Sequence, residues 1–144
     1  MKQLAMTNSL PRGLRNNNPG NIRRSAVRYC GEVVPSQDAA FKQFQSIAWG
    51  YRAIFVLLDS YRRRGLLTLR QMIARYAPPA ENDTEAYLRQ VAQRSGLAPD
   101  APVDTLDPEQ MVPIVAAMSG VENGRPASRS DVEAGWQLFV TCRP

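Results

Sequence analysis

The sequence predicts an α+β fold that is predominantly helical, and three observations predict it. Five stretches carry apolar residues at helical spacing, most of them opened by Ser, Thr or Asp and closed by Gly or Pro. A single short region, 26–45, alternates weakly in the manner of strands. The 144 residues, 44% hydrophobic and 22% charged, are enough for one domain with a real core. The expected architecture is about five helices and a small irregular β region.

Residues 1–15 read as a flexible lead-in, which leaves 16–144 as the single domain. MKQLAMTNSLPRG has one lysine and no apolar run of signal-peptide length, so no secretory signal is visible. Arg15–Arg24 (RNNNPGNIRR) is a turn-forming cluster, in which Asn side chains bond neighbouring backbone. Its Asn17 and Asn18 are candidate ligand-facing amides. Val27, Tyr29, Val33 and Val34, broken by Gly31 and Pro35, predict a short hairpin or extended loop. AFKQFQS (40–46) follows as a second extended piece and contains Gln43 and Phe44.

Ser46 can cap a helix over 47–64, whose apolar face is Ile47, Tyr51, Phe55 and Leu58. Arg62, Arg63 and Arg64 fall in its last turn, where cations are favoured, and Gly65 ends it. Thr68 caps a helix to Tyr76, stopped by Ala77-Pro78-Pro79. Asp83 opens another to Ser95, with Tyr87, Leu88 and Val91 inward. Residues 96–106 form a proline-rich connector. Asp107-Pro108 starts the central helix and Asn123-Gly124 stops it. Ser130 is expected to cap a last helix over 131–142.

The chain contains no histidine, which removes Ser-His-Asp and Cys-His catalysis and the usual zinc sites. Cys30 and Cys142 have no metal-like spacing, and free thiols are the default for them. The net charge of +5 comes almost wholly from arginine and suits an anionic partner such as the acidic peptides and polymers of a bacterial wall. A nucleic-acid role is the weaker reading, because helix ends account for the arginine cluster and no binding motif is present. No apolar run is long enough to span a bilayer, and no cofactor or metal is called for.

Carboxylates remain as the acids and bases. In the central helix Met111, Val115, Met118 and Glu122 recur at i, i+4, i+7 and i+11, so a carboxylate closes an apolar stripe. Desolvation, apolar neighbours and the negative end of the helix would each raise its pKa, as a general acid requires. The second concentration is 76–87, with Tyr76, Glu81, Asn82, Thr84 and Tyr87 as candidate groove residues. Tyrosines and amides beside an acid suit carbohydrate, whose rings stack on aromatic faces and whose hydroxyls take amides.

AAMSGVENG resembles the helix-ending glutamate signature of the lysozyme-like superfamily, and LTLRQMIARYAPPAENDTEAYLRQV resembles the later part of soluble lytic transglycosylases. The combination RNNNPGNIR, F-x-x-F-x-S, APPAENDT-x-x-Y and ENG is similar to a group of phage and prophage proteins described as virion structural proteins or peptidoglycan hydrolases. In the usual order the glutamate helix comes first, whereas here it follows the tyrosine segment, so the resemblance implies a circular permutation. It further implies a lysozyme-like fold and cleavage of the MurNAc-GlcNAc β-1,4 bond of peptidoglycan glycan strands. A lytic transglycosylase with Glu122 as general acid and base is the expectation. The alternatives are a hydrolytic lysozyme, with Glu81 as second acid, and a non-catalytic virion or secretion-apparatus protein that binds the wall. Such a protein is made in the cytoplasm and reaches the wall by separate delivery.

Overall fold

The computed structural model describes residues 10–142 and is predominantly helical, with one small two-stranded sheet. A short helix α1 (Arg12–Arg15) is followed by β1 (Glu32–Val33) and β2 (Gln43–Phe44), then by five longer helices. These are α2 (Ile47–Arg63), α3 (Leu69–Tyr76), α4 (Thr84–Ser95), α5 (Pro108–Asn123) and α6 (Arg129–Thr141). Residues 12–15 form a turn of helix whose Gly13 is buried, while Met1–Ser9 lie outside the described residues.

The helix ends follow the capping chemistry of the sequence. The Ser46 side chain accepts from Trp49 N, Thr68 and Gln71 form a reciprocal capping box, and Asp83 accepts from Ala86 N. Asp107 accepts from Glu109 N ahead of Pro108, and Gly124 ends α5 at φ 68°. The last helix departs from expectation by two residues. Ser128, not Ser130, caps it, because Ser128 stands three residues before the Asp131 N–H that it satisfies.

The core is built where α2 packs on α6 and where α4 and α5 meet. Phe55 of α2 meets Trp136 edge-on at 5.1 Å and Phe139 at 6.0 Å, each ring worth about 1.5–3 kcal/mol when buried. Gly135 permits this approach: a Cβ there would stand 2.5 Å from the Cβ of Tyr51. The buried Arg52 guanidinium donates to the Cys142 carbonyl, at the negative end of α6. Cys30 and Cys142 are free thiols.

The hairpin is brief: β1 and β2 pair antiparallel, Glu32 opposite Phe44 and Val33 opposite Gln43. Its stability comes from a buried cation. Lys42, 1% exposed, donates to Glu32 Oε2 at 3.0 Å and to the carbonyls of Val27 at 2.7 Å and Ser25 at 3.3 Å. These acceptors gather the irregular 25–32 segment around one ammonium group, a local substitute for a longer ladder.

Candidate active site around Glu122

The central helix delivers its glutamate as the stripe requires. Met111, Val115 and Met118 are all 0% exposed, and Glu122 follows them half-buried in the last turn of α5. Both carboxyl oxygens are held. Oε2 lies 2.9 Å from the Tyr87 hydroxyl at the start of α4, and Oε1 accepts from Asn21 Nδ2 at 2.9 Å. Burial raises the Glu122 pKa, while the Asn21 and Tyr87 hydrogen bonds work in the opposite direction by favouring the carboxylate. Burial likewise pushes the Tyr87 phenol well above its ordinary range, with the neighbouring Glu122 charge adding to it. Tyr87 therefore stays a neutral phenol that either donates to a Glu122 carboxylate or accepts from a protonated one.

Asn21 was not singled out in the sequence. It occupies the left-handed region at φ 50°, and Asn17 does so at φ 52°, so the 16–22 segment turns sharply twice. The turn is fixed from below by α5 itself. Asn123, the residue after Glu122, donates from Nδ2 to Pro19 O at 2.8 Å and to Ser119 O at 2.9 Å. Ser119 Oγ in turn lies 2.8 Å from the Tyr51 hydroxyl of α2. Asn123 thus holds the loop that carries Asn21, besides ending the helix. On the other side Tyr76 donates its hydroxyl to Gly20 O, tying the end of α3 to the same turn.

The remaining candidates divide. Glu81 is exposed and forms an ion pair with Arg23 at 2.8 Å, which joins the Asn21 segment to the turn before α4. Asn82 is exposed and donates to Pro78 O at 3.3 Å. Thr84 donates to Ala77 O at 2.6 Å and so closes its own turn. Asn17 donates to Phe44 O at 3.1 Å, and Gln43 accepts from Gln37 N at 2.9 Å. Asn18 and Phe44 are not groove residues in this fold. Asn18 is 0% exposed, with Nδ2 donating to the Ile22 and Lys42 carbonyls and Oδ1 accepting from Ile22 N. Phe44 is 1% exposed, because the register of the two-residue strand turns its ring inward.

A second anchor supports the loop from outside. Asp38 accepts two hydrogen bonds from Arg12, at 2.6 and 2.7 Å, and one from Asn16 at 3.0 Å. The Arg12 guanidinium, with help from the Ala40 N–H, holds that carboxyl well below the usual carboxylate range. The Arg12 and Arg23 guanidiniums also lie over the Phe41 ring, at 4.7 and 5.4 Å from its centre.

One known protein shares most of this length. Protein P5 of Pseudoalteromonas phage PM2 is 34% identical over 135 residues, an alignment covering 90% of this chain and 82% of that protein. No protein-family model matches the chain.

Proposed function

This chain belongs to the family of protein P5 of Pseudoalteromonas phage PM2, and within that family we propose, from the site's geometry, that it is a peptidoglycan-cleaving lytic transglycosylase with Glu122 as its general acid and base. The observation that carries the reading is the half-buried Glu122 carboxyl, held at both oxygens and raised in pKa by burial. A carboxyl in that state keeps its proton closer to neutral pH than an exposed glutamate does.

The chemistry needs one such group. Protonated Glu122 gives its proton to the O4 of N-acetylglucosamine as the bond to C1 of N-acetylmuramic acid breaks. The C6 hydroxyl of the same muramyl residue then attacks C1 and forms a 1,6-anhydro ring. Its proton passes to the Glu122 carboxylate, which restores the starting acid. Asn21 and Tyr87 steady the carboxylate between the two transfers, since both hydrogen bonds favour the ionised form. Hydrolysis with retention or inversion uses two carboxylates. Here Glu81 is engaged by Arg23, which supports the single-acid route. Delivery to the wall from outside the cell or during lysis is part of the same proposal for a chain whose relative is a phage protein.

Mass spectrometry of muropeptides released from purified peptidoglycan tests the proposal. Anhydromuramyl products from wild type, absent with Glu122→Gln, are expected. Reducing-end products would replace the transglycosylase with a hydrolytic lysozyme. Equal release by both proteins would overturn the role of Glu122, and no release by either would favour a wall-binding virion protein.

A further inference from the structure

A concave surface lies on the back of α5. Glu122 stands two residues from Gly120, hence about 200° around the helix from it, and Gly124 is the left-handed residue that ends the helix. Those two glycines line a groove of 710 Å³ between α4, α5 and the loop that enters α6. Its floor is Pro113, Ala116, Ala117 and Gly120, and its rim carries Arg94, Arg125 and Arg129. No aspartate or glutamate lines it. Arg129 is neutralised by Glu133 at 3.4 Å, whereas Arg94 and Arg125, both exposed, have no carboxylate partner among the described residues. The absence of a side chain at Gly120 leaves room for Arg94, whose Nη1 would stand 2.5 Å from a Cβ placed there.

We infer that this groove binds the peptide stem of peptidoglycan, a short peptide of alanines and dicarboxylic residues. The identity of that ligand rests on the proposed wall-cleaving function, but the fit is argued from the groove itself. Its volume is that of a small-ligand site, about 300–1,000 Å³, rather than of a protein–protein interface. The floor offers methyl and methylene groups and no deep pocket for the aromatic or long aliphatic anchor that protein partners supply. It lacks the aromatic platforms on which nucleic-acid bases stack. Two uncompensated guanidiniums over small apolar residues match a ligand that carries adjacent carboxylates flanked by methyl side chains. Because the groove faces away from Glu122, it holds stems that project from a strand not being cut, or from a distant part of the same one.

The test uses the sugar-free tetrapeptide L-Ala-γ-D-Glu-meso-diaminopimelate-D-Ala, titrated into full-length Glu122→Gln protein and followed by amide NMR. Saturable shifts confined to residues 113–127 and to 90–94 are expected. Affinity should fall about tenfold in Arg94→Gln/Arg125→Gln and recover in part in the Arg→Lys pair, which restores the charge but not the guanidinium fork, with a decline as salt rises. Circular dichroism of each variant checks that the fold is kept. No saturable binding at millimolar peptide, or equal binding by the double glutamine variant, would overturn the inference. The peptide has no glycosidic bond, so the outcome is independent of cleavage: binding without any wall lysis refutes the enzyme and keeps the groove, and lysis without peptide binding does the reverse.

Discussion

Gly50→Ala is the sharpest probe of how the fold positions Glu122. Gly50 lies in α2 beneath the 17–21 turn, where a Cβ would stand 2.0 Å from Asn17 O and 2.6 Å from Pro19 Cδ. To restore ordinary contact at 3.4 Å, the Asn17 carbonyl would have to retreat from 2.0 Å, a shift of 1.4 Å. That carbonyl belongs to a turn fixed by Asn123 through Pro19 and by Tyr76 through Gly20. Overpacking against backbone that cannot yield costs about 1–3 kcal/mol or more, and the helical preference for Ala over Gly returns about 1 kcal/mol. A net loss of about 2 kcal/mol corresponds to a Tm lower by about 6 °C for a chain of this size. The displaced turn carries Asn21 away from Glu122 Oε1, a bond that favours the carboxylate, so the Glu122 pKa rises further. Thermal denaturation reads the first effect and carboxyl-carbon NMR titration the second. Gly96→Ala is the control. It strains a left-handed residue at φ 76° that has no neighbour within 4 Å, so it should lower Tm without altering the Glu122 titration. An unchanged Tm in Gly50→Ala, or an unchanged Glu122 titration despite a lowered Tm, would refute the coupling of this helix to the site.

Further outcomes follow from the same geometry. Tyr87→Phe removes the phenol that holds Glu122 Oε2, so the Glu122 pKa should rise and stability fall by about 1 kcal/mol; an unmoved titration would mean that Tyr87 does not support the carboxylate. Glu122→Gln should stabilise the protein at neutral pH. Burial raises the folded-state pKa of Glu122, so its contribution to stability is complete below the unfolded value and is lost as pH rises through the folded one. The Tm gain of the glutamine variant at pH 7–8 should therefore vanish below about pH 4, and a gain independent of pH would contradict that linkage. Lys42→Met strands Glu32 and two backbone carbonyls in the interior and should cost about 3–5 kcal/mol, readable by urea denaturation. A loss below about 1 kcal/mol would show that water replaces the ammonium.

Most of the helical architecture was legible because each long helix announces itself twice, by a stripe and by a cap. Thr68 with Gln71, Asp83, and Asp107 with Pro108 carry their signals within four residues, and such local chemistry survives any tertiary arrangement. Glu122 was legible for the same reason, since its place on the stripe of Met111, Val115 and Met118 is a property of one helix. Tyr87 faces inward as its helix predicts, whereas the contact of its hydroxyl with Glu122 was not foreseen. The donors from the amino-terminal turn were not legible. Asn17, Asn18 and Asn21 are chemically alike in a run of turn residues, and which amide faces the carboxyl depends on contacts with α5, 101 residues away for Asn21. Phe44 was misplaced because a two-residue strand has too little alternation to set its inward face. Glu81 sits where sequence put it, before α4, but its pairing with Arg23 joins loops whose proximity no local pattern encodes.

The span between Asn21 and Glu122 also governs timing. Loops of that length close late, after helices and local turns have formed. A nascent chain from which α5 has not yet emerged lacks Glu122 altogether. One with α5 emerged but the amino-terminal turn undocked carries a glutamate with only part of its final environment. The acidity set by Asn21, Tyr87 and burial together is complete only once the amino-terminal turn is docked on α5, so fragments that lack either segment lack that environment.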